Sequence, residues 1–195
     1  KYFSPYDNPH LSNGPKGEHL PDRLATEVSK FITEHKDGKF FVYLPFYSVH
    51  TPLMAPETLV EKYKGKAEKL DLEAKFEPEP PRKNRTVQQH AVYAGMVEAM
   101  DAAVGKVLDS LQRNGVADDT LVFFFSDNGG LSTSEGSPTS NLPYRAGKGW
   151  AYEGGVREPL VVRWPGNGKA GATCDEPVIS TDFFPSILEA CGLDP

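Results

Sequence analysis

Apolar residues along this chain follow two kinds of pattern. In the first they recur every three or four positions. Leu24, Val28, Phe31 and Ile32 mark one face of a helix with Asp22 as its N-cap and Asp37-Gly38 as its stop. Val97, Val104, Leu108 and Leu111 mark a longer helix over residues 86–114, with Gly115 just past its end. Phe184, Ile187 and Leu188 mark a closing helix over residues 181–190, stopped by Gly192. The second pattern is the unbroken apolar run. Residues 39–46 (KFFVYLPF) and 120–125 (TLVFFF) are too short for helices and rich in β-formers. They predict strands buried on both faces, as in a parallel sheet. Residues 160–164 give a third, shorter strand.

The intervening segments are polar or rich in turn formers. Residues 1–21 predict a long loop, 47–58 a polar loop containing His50, and 126–147 a Gly/Ser/Pro-rich loop. The charged segment leading into the prolines at 78–81 predicts an exposed excursion. Helix, strand, helix, strand, loop, strand, helix is an α/β order, read as one domain over residues 1–195 without internal repeats. Ligands of such sheets bind beyond the C-terminal strand ends. That rule selects the loop with His50, the loop with Asp127-Asn128, and the turn Pro165-Gly166-Asn167, of which the last carries no chemistry.

Composition narrows the partners. The chain has 195 residues, enough for a sizeable core, and a formal charge of −6, which argues against a nucleic-acid partner. The basic cluster Arg82-Lys83-Arg85 follows an acidic, proline-rich stretch and reads as solvated. No apolar run is long enough to span a bilayer. The chain opens on Lys1-Tyr2-Phe3 with neither Met nor a signal-like segment, so a processed or excised piece is expected. Two cysteines are too few for a disulfide scaffold, and Cys191 falls in an apolar helical pattern that predicts burial.

Three places carry candidate chemistry. In Ser126-Asp127-Asn128-Gly129-Gly130 an apolar strand delivers a carboxylate and a carboxamide, oxygen ligands that suit calcium or magnesium. An Asp-Asn-Gly turn held by local hydrogen bonds accounts for the same residues. His50 lies just past a predicted strand, where an imidazole can donate a proton near neutral pH; taken alone it is equally a structural histidine. Lys148, flanked by Gly147 and Gly149, suits an anionic oxygen as a point charge, or is an ordinary exposed lysine. Glu153 and Arg157 stand at helical spacing and predict a structural pair. His90 and Asp101 lie near the apolar face of the long helix and predict satisfied structural hydrogen bonds. Neither a Gly-x-Ser-x-Gly elbow nor a Cys-x-x-Cys pair is present.

Taken together, four segments resemble the sulfatase family: residues 40–56 (FFVYLPFYSVHTPLMAP), 121–130 (LVFFFSDNGG), 147–159 (GKGWAYEGGVREP) and 179–192 (ISTDFFPSILEACG). The resemblance implies an α/β fold, part of an alkaline-phosphatase-like three-layer sandwich with a mostly parallel central sheet. It implies hydrolysis of sulfate esters, with a sulfated small molecule or sulfated glycan as substrate. By motif, Asp127 and Asn128 match metal ligands, usually for calcium. His50 matches a histidine at the sulfate, the proton donor to the leaving oxygen, and Lys148 a lysine on the sulfate. The resemblance also favours export: periplasmic, secreted or lysosome-like.

The departures from the family are as informative. Its nucleophile is a formylglycine made in a Cys/Ser-x-Pro-x-Arg motif, and neither Cys174-Asp175-Glu176-Pro177 nor Cys191-Gly192-Leu193-Asp194 has that form. The Asp pair completing the metal shell is missing too, as are the Arg, Lys and His of the nucleophile's neighbourhood. All are expected upstream of Lys1, and a smaller C-terminal subdomain is expected after Pro195. This chain alone is therefore expected to be inactive. Ala146 stands where the family pattern has glycine. A non-catalytic sulfatase-like binding domain, and a phosphate or phosphonate ester hydrolase of the same superfamily, remain alternatives.

Overall fold

The computed structural model describes residues 1–194, which fall into two compact units, Lys1–Pro165 and a second beginning at Gly166. Helix α1 (Leu20–His35) starts before Asp22. His19 is its N-cap residue, and Pro21 occupies the first turn, where its missing N–H costs nothing. The helix is anchored there because the Leu20 N–H donates to the Tyr2 carbonyl at 2.8 Å. Asp22 is thus not the cap. It lies in the first turn, favourable to the helix dipole, and pairs with Lys106 at 2.8 Å.

Helix α2 (Glu57–Lys69) has no counterpart among the sequence expectations. A hairpin of β1 (Phe76–Glu79) and β2 (Arg82–Arg85) follows, paired antiparallel. The expected exposed excursion is therefore an ordered element. Glu79, Asn84 and Arg85 are buried in it, which corrects the reading of the basic cluster as wholly solvated. The Arg85 guanidinium donates to the Ser137 carbonyl and covers the Phe76 ring.

The long helix α3 (Ala91–Arg113) begins five residues later than periodicity predicts. Residues just before it are committed elsewhere: Arg85 N–H donates to Ser132 O and Thr86 N–H to Lys75 O, each at 2.9 Å. His90 is the N-cap, its ring accepting from Tyr93 N–H at 3.3 Å, and Gly115 follows the end with φ +71°. Helices α1 and α2 both pack on α3. The α1–α3 seam holds Ile32, Leu111 and the turn residue Ala117, with Val28, Phe40, Val107, Val116 and Val122 against them.

Strand β3 (Val122–Phe125) pairs antiparallel with β4 (Leu160–Arg163), and the one-turn helix α4 (Glu153–Val156) precedes β4. Both strand pairs formed within the described residues are antiparallel, so these strands do not themselves build a parallel sheet. Residues 39–46 were expected as a strand buried on both faces. They run outside any ladder, with exposed and half-buried positions alternating. Phe41 and Tyr43 are 71% and 79% exposed, while Phe40 joins the core. The segment is covered on one side only, so its apolar character is not satisfied by burial.

In the second unit a turn at Ser180–Asp182 leads into α5 (Phe183–Ala190). An eight-residue helix has little surface to cover, and no residue of α5 is buried. Cys191 follows it and is exposed, which corrects its expected place in a core, and Cys174 is exposed as well.

Candidate active site

His50 sits on a tight turn in which its own N–H donates to the Tyr47 carbonyl at 2.9 Å. Tyr2, only 1% exposed, braces that turn from beneath: its hydroxyl lies 2.9 Å from Tyr47 O and 2.8 Å from His50 O. Burial pushes the Tyr2 phenol up to about 12, so it stays a neutral donor. His50 Nδ1 faces the Thr51 carbonyl at 2.9 Å. A carbonyl only accepts, so Nδ1 carries the proton. Lys148 Nζ meets the other ring nitrogen, Nε2, at 2.9 Å. An ammonium only donates, so Nε2 is the acceptor in this arrangement.

Lys148 is delivered by a loop folded on its own backbone. Its N–H donates to Gly130 O at 3.1 Å, tying the lysine loop to the glycines after Asp127-Asn128. Asn141 clasps the same place, its Nδ2 lying 2.9 Å from Gly130 O, 3.0 Å from Ala146 O and 3.1 Å from Gly154 O. Ser132 Oγ adds a bond to Ala146 O at 2.7 Å. The chains approach so closely that a Cβ on Gly147 would lie 2.2 Å from Gly130 O, and one on Gly129 1.9 Å from Gly154 O. The glycines at these positions are thus demanded by packing. Ala146 takes a left-handed φ of +60°, the conformation that makes glycine the ordinary occupant there.

Glu135 completes the cluster. Its carboxylate accepts from Thr51 Oγ1 at 2.8 Å and from Lys148 Nζ at 3.1 Å, and lies 3.9 Å from His50 Nε2. The Thr51 hydroxyl, and then Lys148, hold its carboxyl below the ordinary 4.5. The sequence reading missed Glu135, Thr51 and Tyr2. Glu135 had a signal: it is the one carboxylate between Asp127 and Glu153, in a loop otherwise made of turn formers.

Asp127 and Asn128 emerge at the C-terminal end of β3, and Asn128 Nδ2 lies 2.5 Å from Asp127 Oδ2. One carboxylate oxygen and the carboxamide oxygen are left over, hard donors of the type calcium prefers. The donor chemistry fits a divalent cation, but the number is well short of a full shell. Among the described residues no group of three or more His, Cys, Asp or Glu side chains is placed to hold a metal ion. The Glu158 carboxyl is raised above the ordinary 4.5, chiefly by burial and then by the charge of Asp127. The structure thus brings His50 and Lys148 into contact. It joins Asp127-Asn128 to them through backbone, by way of the Lys148 N–H on Gly130 O. Arg157 pairs with Glu153 at 3.3 Å, the expected partner, and covers Tyr144.

Comparison with known proteins places the chain. The family model described as Sulfatase matches residues 1–193. A sulfatase of Formosa agariphila is 37% identical over 95% of this chain and 32% of its own length. Human steryl-sulfatase is 32% identical over 90% of this chain and 27% of its own length. Among solved structures, Ps i-CgsB in complex with k-i-k-neocarrahexaose superposes with a TM-score of 0.75 at 29% identity, over 95% of this chain and 37% of that one. PsFucS1 sulfatase from Pseudoalteromonas sp. gives 0.63 at 27% identity, over 91% of this chain and 32% of that one. The chain thus spans about a third of the length of these relatives, all of them sulfatases or their structural kin. With an α/β fold of the alkaline-phosphatase-like kind, the chain belongs to the sulfatase family.

Proposed function

We propose that this chain carries the leaving-group acid and part of the anion-binding machinery of a sulfuric ester hydrolase. The reading is supported above all by the meeting of His50 Nε2 and Lys148 Nζ at 2.9 Å, from loops 98 residues apart in sequence. The Lys148 ammonium binds a non-bridging sulfuryl oxygen as a point charge. His50 serves the bridging oxygen. As the S–O bond breaks, its electron pair stays on the departing oxygen, and the proton on Nε2 goes with it, so a neutral alcohol leaves. Lys148 must first turn from the imidazole to the sulfuryl group, because its donation to Nε2 excludes a proton there, and Nε2 then takes up a proton from solvent before it can act as the acid.

Asp127 and Asn128 would hold a divalent cation, calcium by family resemblance, together with ligands from outside this chain. That cation and a formylglycine, also from outside this chain, would supply charge neutralisation and the nucleophile. The substrate is a sulfated small molecule or a sulfated glycan, and the family's habit of export is proposed for this protein as well.

The test uses the dependence on leaving group, in the full-length protein that contains this chain. A sugar alkoxide is a poor leaving group and needs the proton. A 4-nitrophenolate departs without it. His50→Ala is expected to slow hydrolysis of a sugar sulfate by about 10²-fold or more, and that of 4-nitrophenyl sulfate much less. Equal losses on both substrates would remove His50 from the role of acid.

A further inference from the structure

We propose that Arg82 forms a second anion subsite beside Lys148, so that the preferred substrate is a glycan bearing a second sulfate. The inference rests on the reading of Lys148 as the sulfate lysine. An open surface cleft of about 520 Å³ has both cations in its lining, together with Thr133, Ser134, Glu135 and Gly149. None of these is an apolar side chain. An aryl or steroid group gains affinity from aromatic and aliphatic side chains, and the only apolar surface in this cleft is the carbon of its polar residues and Gly149. It offers hydroxyls, a carboxylate and two cations, the groups that bind a hydroxylated, anionic ring.

Each wall has capacity to spare. Thr133 Oγ1 accepts from Trp150 Nε1 at 2.9 Å, which leaves its own proton for a ligand oxygen. The Glu135 oxygens accept from Thr51 and Lys148, and each retains a lone pair for a sugar hydroxyl. Arg82 is the freest of them. It is exposed at the start of β2, and among the described residues no hydrogen bond or ion pair engages its guanidinium. Its cross-strand partner in the hairpin is Glu79, the carboxylate expected to neutralise it. That carboxylate is taken instead by Arg145, at 2.7 Å from Nη2 and 3.1 Å from Nε. Arg82 therefore presents an unpaired fork to the cleft. A planar guanidinium binds a tetrahedral oxyanion through two parallel hydrogen bonds. Glu135 and a first sulfate on Lys148 would balance the two cations of the lining, so the attraction for a second sulfate is local and comes from the Arg82 fork.

The test measures binding to this chain by calorimetry at low salt. The probes are a galactose disaccharide with one sulfate, the same disaccharide with a sulfate on each ring, and estrone sulfate as an apolar monosulfate. The disulfated sugar is expected to bind about tenfold tighter than the monosulfated one, or about 1.4 kcal/mol. Arg82→Ala is expected to erase that preference, and Arg82→Lys to keep part of it, since lysine supplies charge without the fork. Unchanged melting of both variants checks that the hairpin persists. A preference that survives Arg82→Ala, or estrone sulfate binding as tightly as the disulfated sugar, overturns the subsite. Lys148→Ala separates the two readings. If it weakens all three probes while the preference for the disulfated sugar survives Arg82→Ala, only the subsite falls. If it weakens none, or if no probe binds, the sulfate site falls with it.

Discussion

A methyl group on Gly147 would lie 2.2 Å from the Gly130 carbonyl oxygen and 2.6 Å from Ser132 Oγ, and the first of these is backbone that cannot swing aside. Gly147→Ala is therefore expected to cost at least about 2 kcal/mol in urea unfolding and to displace Lys148. The neighbouring position behaves oppositely. Ala146 spends roughly 1–2 kcal/mol on its left-handed backbone. Glycine there would recover that, but would return about 0.4–1 kcal/mol to the unfolded chain and about 0.8 kcal/mol for the lost buried methyl. Ala146→Gly is expected to change stability by less than about 1 kcal/mol, which explains how alanine can replace the glycine of the family pattern. Charge at this scale gives a pH signature. Hydrogen bonding from Arg145 holds the Glu79 carboxyl below the ordinary 4.5, as Thr51 and Lys148 do for Glu135. A depressed carboxyl stabilises the fold above its unfolded value, and that contribution disappears as the pH falls through the folded value. Stability should thus decline below about pH 4.5, and Glu79→Gln should flatten the decline. An acid limb unchanged in that variant would assign the loss to other carboxylates.

Elements differ in how plainly the sequence announces them. The α1–α3 seam was legible because Val28, Ile32 and Leu111 recur at helical intervals and meet in one cluster. Ile32 is 1% exposed, and Ile32→Ala is expected to cost about 2–5 kcal/mol, read from thermal or urea unfolding. Helix α2 was missed because its apolar stripe is short: Leu59, Tyr63 and Ala67 are only half-buried, and charged residues fill most of the rest of the helix. Its stability comes from packing on α3, with smaller additions from Glu/Lys propensity and from the Glu61–Lys64 pair within the helix and the Lys62–Glu98 pair across to α3, both at 2.7 Å. The hairpin was mistaken for an excursion because its strands are charged, and composition does not reveal that Glu79 and Arg85 are buried and find partners. Residues 39–46 failed in the other direction. Their apolar run promises burial on both faces, but a strand exists only where a neighbour supplies the ladder. The site divides likewise. His50, Lys148, Asp127 and Asn128 were legible from motif, whereas Glu135 depends on a loop returning across 84 residues to Thr51.

At the scale of the molecule, the chain spans about a third of its relatives and presents apolar groups that are half or more exposed, or nearly so. Phe41, Tyr43 and Tyr47 are exposed along one segment, and Val161 and Val162 on β4. Such a surface favours self-association, so sedimentation of this chain by itself should show oligomers that grow with concentration. A strictly monomeric chain at high concentration would mean that these groups repack in solution. The same scale governs the metal. Calcium takes six to eight oxygens at full coordination, and even complete sites in extracellular modules bind only at about 10⁻⁴–10⁻³ M. Asp127 and Asn128 are adjacent and share one hydrogen bond, so they offer about two free side-chain oxygens. The remaining ligands would be water, which contributes no chelate advantage. Calcium should therefore bind this chain by itself more weakly than about 1 mM in calorimetry, and Asp127→Asn should abolish what remains. The full-length protein should bind far more tightly, since more carboxylates would converge on the same ion. Binding by the chain at or below about 10 μM would require further oxygens from these residues, with Glu158, whose carboxyl feels the charge of Asp127, as the first to test.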